Sequence, residues 1–109
     1  MKSYQGPPAE AFAALGDGTR RAIFELLRGG PCAVGELAAS VPVSRPAVSQ
    51  HLRVLKDAGL VSDEPVGNRR VYRVEVDALD ELRSYFVDFW SDALDRFKTA
   101  AEAGEGGKR

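Results

Sequence analysis

The side chains with the most specific chemistry in this chain lie in segment 44–58, where apolar residues recur at helical spacing. On a helical wheel the apolar residues fall on one side. The opposite side carries Ser49, Gln50 and Arg53. Gln and Arg have paired polar atoms that match the edges of adenine and guanine in the major groove of DNA. The pattern therefore predicts a helix whose outer face is suited to reading bases.

Five further residues have a hydroxyl or a positive charge that suits phosphate. They flank the predicted helix or follow the turn of a predicted hairpin: Ser44, Arg45, Lys56, Arg69 and Arg70. From the tip of the hairpin, Arg69 and Arg70 could reach phosphates or a minor groove. Phosphate contacts position a protein on duplex DNA without reading its sequence. Two alternatives remain open at this point. In the first, the helix has only the polar outer surface of any exposed helix and does not read bases. In the second, Arg69 and Arg70 face solvent at the end of the hairpin and do not bind DNA.

The sequence contains no recognisable catalytic or metal-binding arrangement. His51 lies at the border of the apolar stripe, where we interpret it as a packed or hydrogen-bonding residue. One histidine and one cysteine, Cys32, are too few for a Cys/His metal site within one chain. We find no nucleophile–base pair, no paired carboxylates and no phosphate-binding loop. The prediction is that the protein is not an enzyme and binds neither a metal nor another cofactor.

The elements that must position these residues follow in a recognisable order. The patterns predict helices at 9–15, 18–28, 34–40 and 45–58, strands at 60–64 and 69–76, and a final helix of about 25 residues. Asp17, Ser44 and Asp77 are expected to cap helices, whereas Ala33 cannot cap the third. The order predicts a mainly α winged helix-turn-helix with a small β-hairpin as the wing. Its fourth helix is the recognition helix.

Charge is distributed unevenly along the 109 residues. The net charge is −1, which alone argues against a nucleic-acid partner. Residues 20–73 nevertheless carry nine Lys and Arg against five Asp and Glu, and residues 77–105 carry three against eight. A basic middle and an acidic end indicate two surfaces with different functions. The composition, 44% hydrophobic and 28% charged, excludes a disordered chain and a disulfide scaffold.

The chain length fits one domain. We predict a flexible lead-in over 1–8, a single DNA-binding and dimerisation domain over 9–103, and a flexible Gly-rich tail over 104–109. No apolar run approaches the roughly 18 residues of a membrane span, and the N-terminus does not resemble a secretory signal. We therefore expect a cytoplasmic protein with no membrane partner.

The predicted final helix carries more aromatic surface than one small domain covers. Together with two apolar residues of the first helix, its stripe forms a predicted homodimer interface: Phe12, Leu15, Phe86, Phe89, Trp90, Ala93 and Phe97. The alternatives are a core formed within one chain and a pocket for an apolar effector.

Four segments resemble the ArsR/SmtB family of bacterial repressors. They are ALGDGTRR at 14–21, VGELA at 34–38, SRPAVSQHLRVLKDAGLV at 44–61 and GNRRVYRV at 67–74. The resemblance implies a homodimeric repressor that binds an inverted repeat of double-stranded operator DNA. By position it also implies DNA contacts from the wing and the fourth helix, through Ser44, Arg45, Ser49, Gln50, Arg53, Arg69 and Arg70.

The chain departs from the metal-sensing members of that family. The two positions that carry thiolates on either side of the valine in the third helix are Ala33 and Gly35 here, and Cys32 is displaced by one residue. Zinc-sensing members use histidines and acids on the last helix, but residues 77–103 contain no histidine. The expectation is a repressor without the usual metal ligands.

Three functional hypotheses follow from the sequence. The first is a sequence-specific repressor, autoregulatory for its own operon. The second adds an unknown effector, either an oxidant acting on Cys32 or a small apolar ligand bound by the aromatic last helix. The third, from another class, is a winged-helix module that binds protein and no DNA.

Overall fold

A computed structural model describes the backbone of residues 7–108 and the side chains of residues 9–103. The described elements are α1 (Pro7–Leu15), α2 (Gly18–Leu26), a 3₁₀ turn (Leu27–Gly29), β1 (Cys32–Ala33), α3 (Val34–Ala39), α4 (Arg45–Asp57), β2 (Val61–Val66), β3 (Arg69–Val74) and α5 (Val76–Lys108). Helix α1 begins two residues before the predicted start, because proline fits the first turn of a helix. Residues 1–6 of the predicted lead-in and Arg109 of the predicted tail lie outside the described residues.

The hydrophobic core lies beneath α4 and is closed by α2, α3 and the start of the hairpin. The largest fully buried side chains come from these elements: Ile23, Leu37, Val48, Leu52, Leu55 and Leu60. Three of them form the inner stripe of α4, at the three- and four-residue steps that the sequence pattern predicted. Because this stripe is withdrawn from water, the opposite side of α4 faces solvent.

The sheet has three antiparallel strands in the order β1–β3–β2. The prediction of a two-stranded hairpin missed β1, in which Cys32 pairs with Tyr72 and Ala33 with Val71. A strand of two residues shows no alternation of side chains, so only its backbone pairing reveals it. Between β2 and β3, Gly67 has a φ of 64°, which a tight hairpin turn requires and glycine adopts readily.

Side-chain caps start the helices that surround the core. Asp17 and Ser44 accept backbone N–H groups of the first turns of α2 and α4, at 2.9 and 3.3 Å, as predicted. The bonded amide of α2 is the main reason that the pKa of the Asp17 carboxyl lies below its ordinary value. Ala33 has no acceptor for α3, and instead its N–H donates to the Glu36 carboxylate at 2.9 Å. These bonds fix where α2, α3 and α4 begin.

Helix α5 has 33 residues and is longer than predicted. It begins at Val76, so Asp77 lies in the first turn rather than at the cap, where its charge still favours the positive end of the helix. The helix also continues to Lys108, through most of the segment predicted as a tail. Within the described part of the chain, no helix is long and apolar enough to cross a membrane.

Candidate nucleic-acid interface

The outer face of α4 presents the three predicted base-reading residues to solvent. Ser49, Gln50 and Arg53 are all exposed. Among the described residues, none of these three side chains has a hydrogen bond or ion pair to another part of the chain. The stripe behind them is fully buried, so the helix is held against the core while its outer polar groups are available to an external partner. The face offers a hydroxyl, an amide and a guanidinium.

The start of α4 contributes two of the predicted phosphate-binding residues. The Ser44 hydroxyl oxygen accepts a backbone N–H of α4, which leaves its own O–H to donate outward. Arg45 is exposed, and its guanidinium lies beside Gly35 of α3, where an added Cβ would be 3.7 Å from the nearest guanidinium nitrogen. A concavity of about 690 Å³ separates α3 and the start of α4 from the wing, and Arg45, Arg69 and Arg70 all line it. The fold therefore brings three predicted phosphate ligands around one depression.

The two wing arginines start from opposite faces of the hairpin, as the alternation of side chains along a strand requires, and both border the same concavity. Arg69 Nη1 lies 3.9 Å from a carboxylate oxygen of Glu36 in α3. Arg70 Nη1 donates to Asp63 Oδ2 at 3.1 Å. Both arginine side chains remain about half exposed, at 55% and 51%. The two arginines were predicted as one group at the wing tip, but in the structure each is paired with a different acidic residue.

Asp63 joins the wing to the last turn of α4, a position for which no functional role was predicted. Its Oδ1 lies 2.9 Å from Lys56 Nζ, and its side chain is only 7% exposed. The hydrogen bond from Lys56 holds the pKa of the Asp63 carboxyl below its ordinary value, against the opposing effect of burial. One signal was present in the sequence. Asp63 follows the buried Val61 by two residues and so lies on the inward face of β2.

The back of α4 is tied to the first two helices. Arg20 Nε donates to the carbonyl of Ala14 at 2.6 Å, and its Nη1 lies 3.4 Å from Nδ1 of His51. Arg21 donates to the carbonyl of Leu15 at 2.8 Å. His51 is half-buried, at the border where the wheel placed it. These contacts give His51 a structural position behind the exposed face.

The aromatic face of α1 and α5 is largely uncovered in the single chain. Phe86, Phe89, Trp90 and Phe97 are 54%, 60%, 62% and 72% exposed. Phe12 packs edge-on against Phe86, with ring centroids 5.3 Å apart. The other two predicted interface residues, Leu15 and Ala93, are half-buried. An unpartnered apolar face of this extent marks an interaction surface.

The residues at the start of α3 include one thiol and two side chains without donor atoms. Cys32 is half-buried and forms no disulfide. Ala33 and Gly35, on either side of Val34, have no donor atom in their side chains. In the part of the chain with described side chains, no three residues of the types His, Cys, Asp or Glu come together as a metal site would require.

Several known proteins are similar to this chain in sequence. Residues 17–63 match the family described as "Bacterial regulatory protein, arsR family". The chain is 57% identical over 94 residues to the HTH-type transcriptional regulator Rv2034 of Mycobacterium tuberculosis, which covers 86% of this chain and 87% of that protein. It is 35% identical over 78 residues to the transcriptional repressor SdpR of Bacillus subtilis, covering 72% and 87% of the two chains.

A solved structure agrees with the fold. The solution structure of the homodimeric winged helix-turn-helix DNA-binding domain Mb0332 of Mycobacterium bovis has a TM-score of 0.64 and 27% identity, covering 84% of this chain and 91% of that one. The predicted winged helix-turn-helix is thereby confirmed. The relatives are transcriptional regulators and not enzymes, and regulators of their family bind DNA and form homodimers. This chain belongs to the arsR family of bacterial regulatory proteins and is a DNA-binding transcriptional regulator.

Proposed function

We propose that two copies of this chain bind one inverted repeat of operator DNA and repress transcription there, with α4 of each copy in a major groove. The observation that carries this proposal is the exposed, unpartnered face of Ser49, Gln50 and Arg53 on a helix whose opposite side is fully buried. Such a helix fits the major groove, and its amide and guanidinium match base edges.

Within this proposal Gln50 and Arg53 read bases, and Ser49 donates its hydroxyl beside them. The groups that position the protein on phosphate surround α4: Ser44, Arg45, Lys56, Arg69 and Arg70. The three arginines of this group line one concavity beside the N-terminal end of α4, which supports contact with a single stretch of DNA backbone. The bound backbone would then set the depth at which α4 enters the groove.

The uncovered face of α1 and α5 forms the dimer interface in this proposal. Its residues are Phe12, Leu15, Phe86, Phe89, Trp90, Ala93 and Phe97. A two-fold dimer places the two α4 helices in successive major grooves on one side of the duplex, roughly 34 Å apart. The operator is therefore expected to be an inverted repeat with half-sites about one helical turn apart.

The proposed repressor does not sense a thiolate-bound metal at the start of α3. Ala33 and Gly35 replace the residues that such a site would need, and Cys32 is a single thiol. Metal-free control of transcription from its own operon is the simplest function that fits these residues.

Fluorescence anisotropy with duplexes that tile the DNA upstream of the protein's own gene tests this function. The proposal predicts that one tile is preferred over an unrelated duplex of equal length by about 10³-fold or more, and that affinity falls as salt rises. Gln50→Ala and Arg53→Ala should each lower affinity for that tile by roughly 5- to 150-fold, which corresponds to the loss of one base contact.

Lys98→Ala is the matched control, because it removes a cation from α5, away from α4 and the wing. Circular dichroism should show that all three variants keep the parent fold. If Gln50→Ala and Arg53→Ala bind the preferred tile as tightly as Lys98→Ala does, α4 is not the reading helix. If no duplex binds at low salt, the chain acts through protein contacts instead.

A further inference from the structure

We propose that Asp63 is a positioning residue for DNA recognition: by holding Lys56 and Arg70 on one carboxylate, it fixes the wing against α4 and limits binding to DNA of arbitrary sequence. We call these three residues the Asp63 clamp. The inference rests on the proposed function, because it concerns how the same interface discriminates between sequences.

The Asp63 clamp lies at the junction between the wing and α4. Each carboxylate oxygen serves one cation: Oδ1 faces Lys56 Nζ at 2.9 Å, and Oδ2 accepts from Arg70 Nη1 at 3.1 Å. Asp63 lies opposite Tyr72 in the β2–β3 register, so Arg70 is its diagonal neighbour on the same face. Lys56 comes from a different element, the last turn of α4. One carboxylate thus connects the two DNA-facing elements.

Glu64, the neighbouring acid of β2, forms an ordinary surface ion pair with which Asp63 can be compared. Glu64 lies 3.0 Å from Arg73 of the same hairpin, and its side chain is 52% exposed, against 7% for Asp63. This pair joins two strands that already share backbone hydrogen bonds, and exposed pairs of this kind contribute little. Of these two acids, only Asp63 reaches an element outside the hairpin.

The charge of the clamp explains its effect on discrimination. Lys56 and Arg70 would present two positive charges to any phosphate, and that attraction does not depend on sequence. Asp63 reduces the net charge of the group from two to one. Both cations stay about half exposed, at 52% and 51%, so each can touch phosphate while still paired. They do so at a fixed position relative to α4, and a phosphate contact at that position requires α4 to be seated correctly in the groove.

The test compares Asp63→Asn with Glu64→Gln. Both variants raise the net charge by one and alter adjacent residues of β2, but only Asp63→Asn opens the clamp. The probes are the duplex that the parent enriches from a randomised pool and a mixed-sequence duplex of equal length, each titrated at several salt concentrations. For Asp63→Asn we expect the ratio of the two affinities to fall by about tenfold or more, with a steeper salt dependence on the mixed-sequence duplex. Glu64→Gln should keep the parent ratio.

A second comparison covers the case in which Asp63→Asn fails to fold. Arg70→Gln and Arg73→Gln each remove one wing cation, but only Arg70→Gln breaks the link between the wing and α4. Loss of a phosphate contact alone should weaken both duplexes by a similar factor, so a fall in the ratio of affinities for Arg70→Gln but not for Arg73→Gln reports the lost positioning of the wing. In a Lys56→Gln/Arg70→Gln background, Asp63→Asn should change the ratio no further, because both of its cationic partners are gone.

The outcomes separate this inference from the function on which it rests. If the parent discriminates between the two duplexes and Asp63→Asn behaves like Glu64→Gln, the role of Asp63 is refuted and the DNA-binding function stands. If the parent binds neither duplex at low salt, the function fails, and the role of Asp63 fails with it.

Discussion

Phe97→Ala tests the proposed dimer interface at its most exposed aromatic residue. Phe97 is 72% exposed in the single chain, which leaves roughly 140 Å² for a partner to cover out of about 200 Å² for a whole phenylalanine. At about 25 cal/mol per Å² the upper limit is ~3.5 kcal/mol per copy, and ~2–3 kcal/mol is a realistic loss. A two-fold dimer loses this twice, so the dissociation constant should rise by roughly 10³- to 10⁴-fold.

Trp90 allows this change to be followed directly. It is the single tryptophan of the chain, it is 62% exposed, and it lies on the same face. Dilution of the parent should shift its emission to longer wavelength as the dimer separates and water reaches the indole. Phe97→Ala should show that shift at protein concentrations roughly 10³- to 10⁴-fold higher. Sedimentation velocity on the same samples gives the mass of each species.

Val66→Ala is the control, because Val66 is an exposed apolar residue of the wing and lies outside the proposed interface. Its dissociation constant should equal that of the parent. If Phe97→Ala also dissociates like the parent, this part of α5 is not covered by the second copy. If the parent itself is a monomer at micromolar concentration, the whole α1–α5 face has another use.

Three further predictions concern stability and effectors. Leu52→Ala should lower the free energy of unfolding by about 2–5 kcal/mol in urea titrations, whereas Val54→Ala, on the exposed side of α4, should cost less than about 1 kcal/mol; equal losses would contradict the assigned faces. Because the folded pKa of Asp63 lies below its ordinary 3.8, its carboxylate stabilises the fold above that pH. The stability advantage of the parent over Asp63→Asn should therefore be constant above about pH 5 and shrink as the pH falls through the lowered folded pKa; an advantage that grows on acidification would contradict the ion pairs. Zinc or arsenite should leave the duplex affinity of the parent and of Cys32→Ser unchanged, and a metal-induced loss in the parent alone would restore a metal-sensing role.

The parts of the fold that periodicity encodes were predictable. The apolar steps of α4 fix both its helical character and its buried side, so the residues of its outer face follow from the same pattern. Asp17 and Ser44 marked the starts of two helices because a cap depends on a side chain beside the helix. These local signals were sufficient to order the elements and to place the recognition helix.

The features that the sequence did not predict depend on long-range contacts or on a helix end whose sequence signal is weak. Cys32–Ala33 is a strand only because its backbone pairs with β3, which is about 40 residues further along the chain. The pairing of Asp63 with Lys56 could not be predicted, since it requires the wing to fold back onto α4. The length of α5 was underestimated because glycines near its end weaken the helical signal without ending the helix.

The most direct test of sequence readout by α4 is a panel of duplexes in which each base pair of the preferred site is changed singly. Affinities of the parent, Arg53→Ala and Arg45→Ala are measured across the panel at one salt concentration. Arg53→Ala should lose discrimination at one base pair of each half-site and keep it elsewhere, whereas Arg45→Ala should weaken binding to all duplexes by a similar factor. If Arg53→Ala instead weakens every duplex equally and keeps the parent's base preferences, Arg53 does not read a base and the proposed role of α4 is wrong.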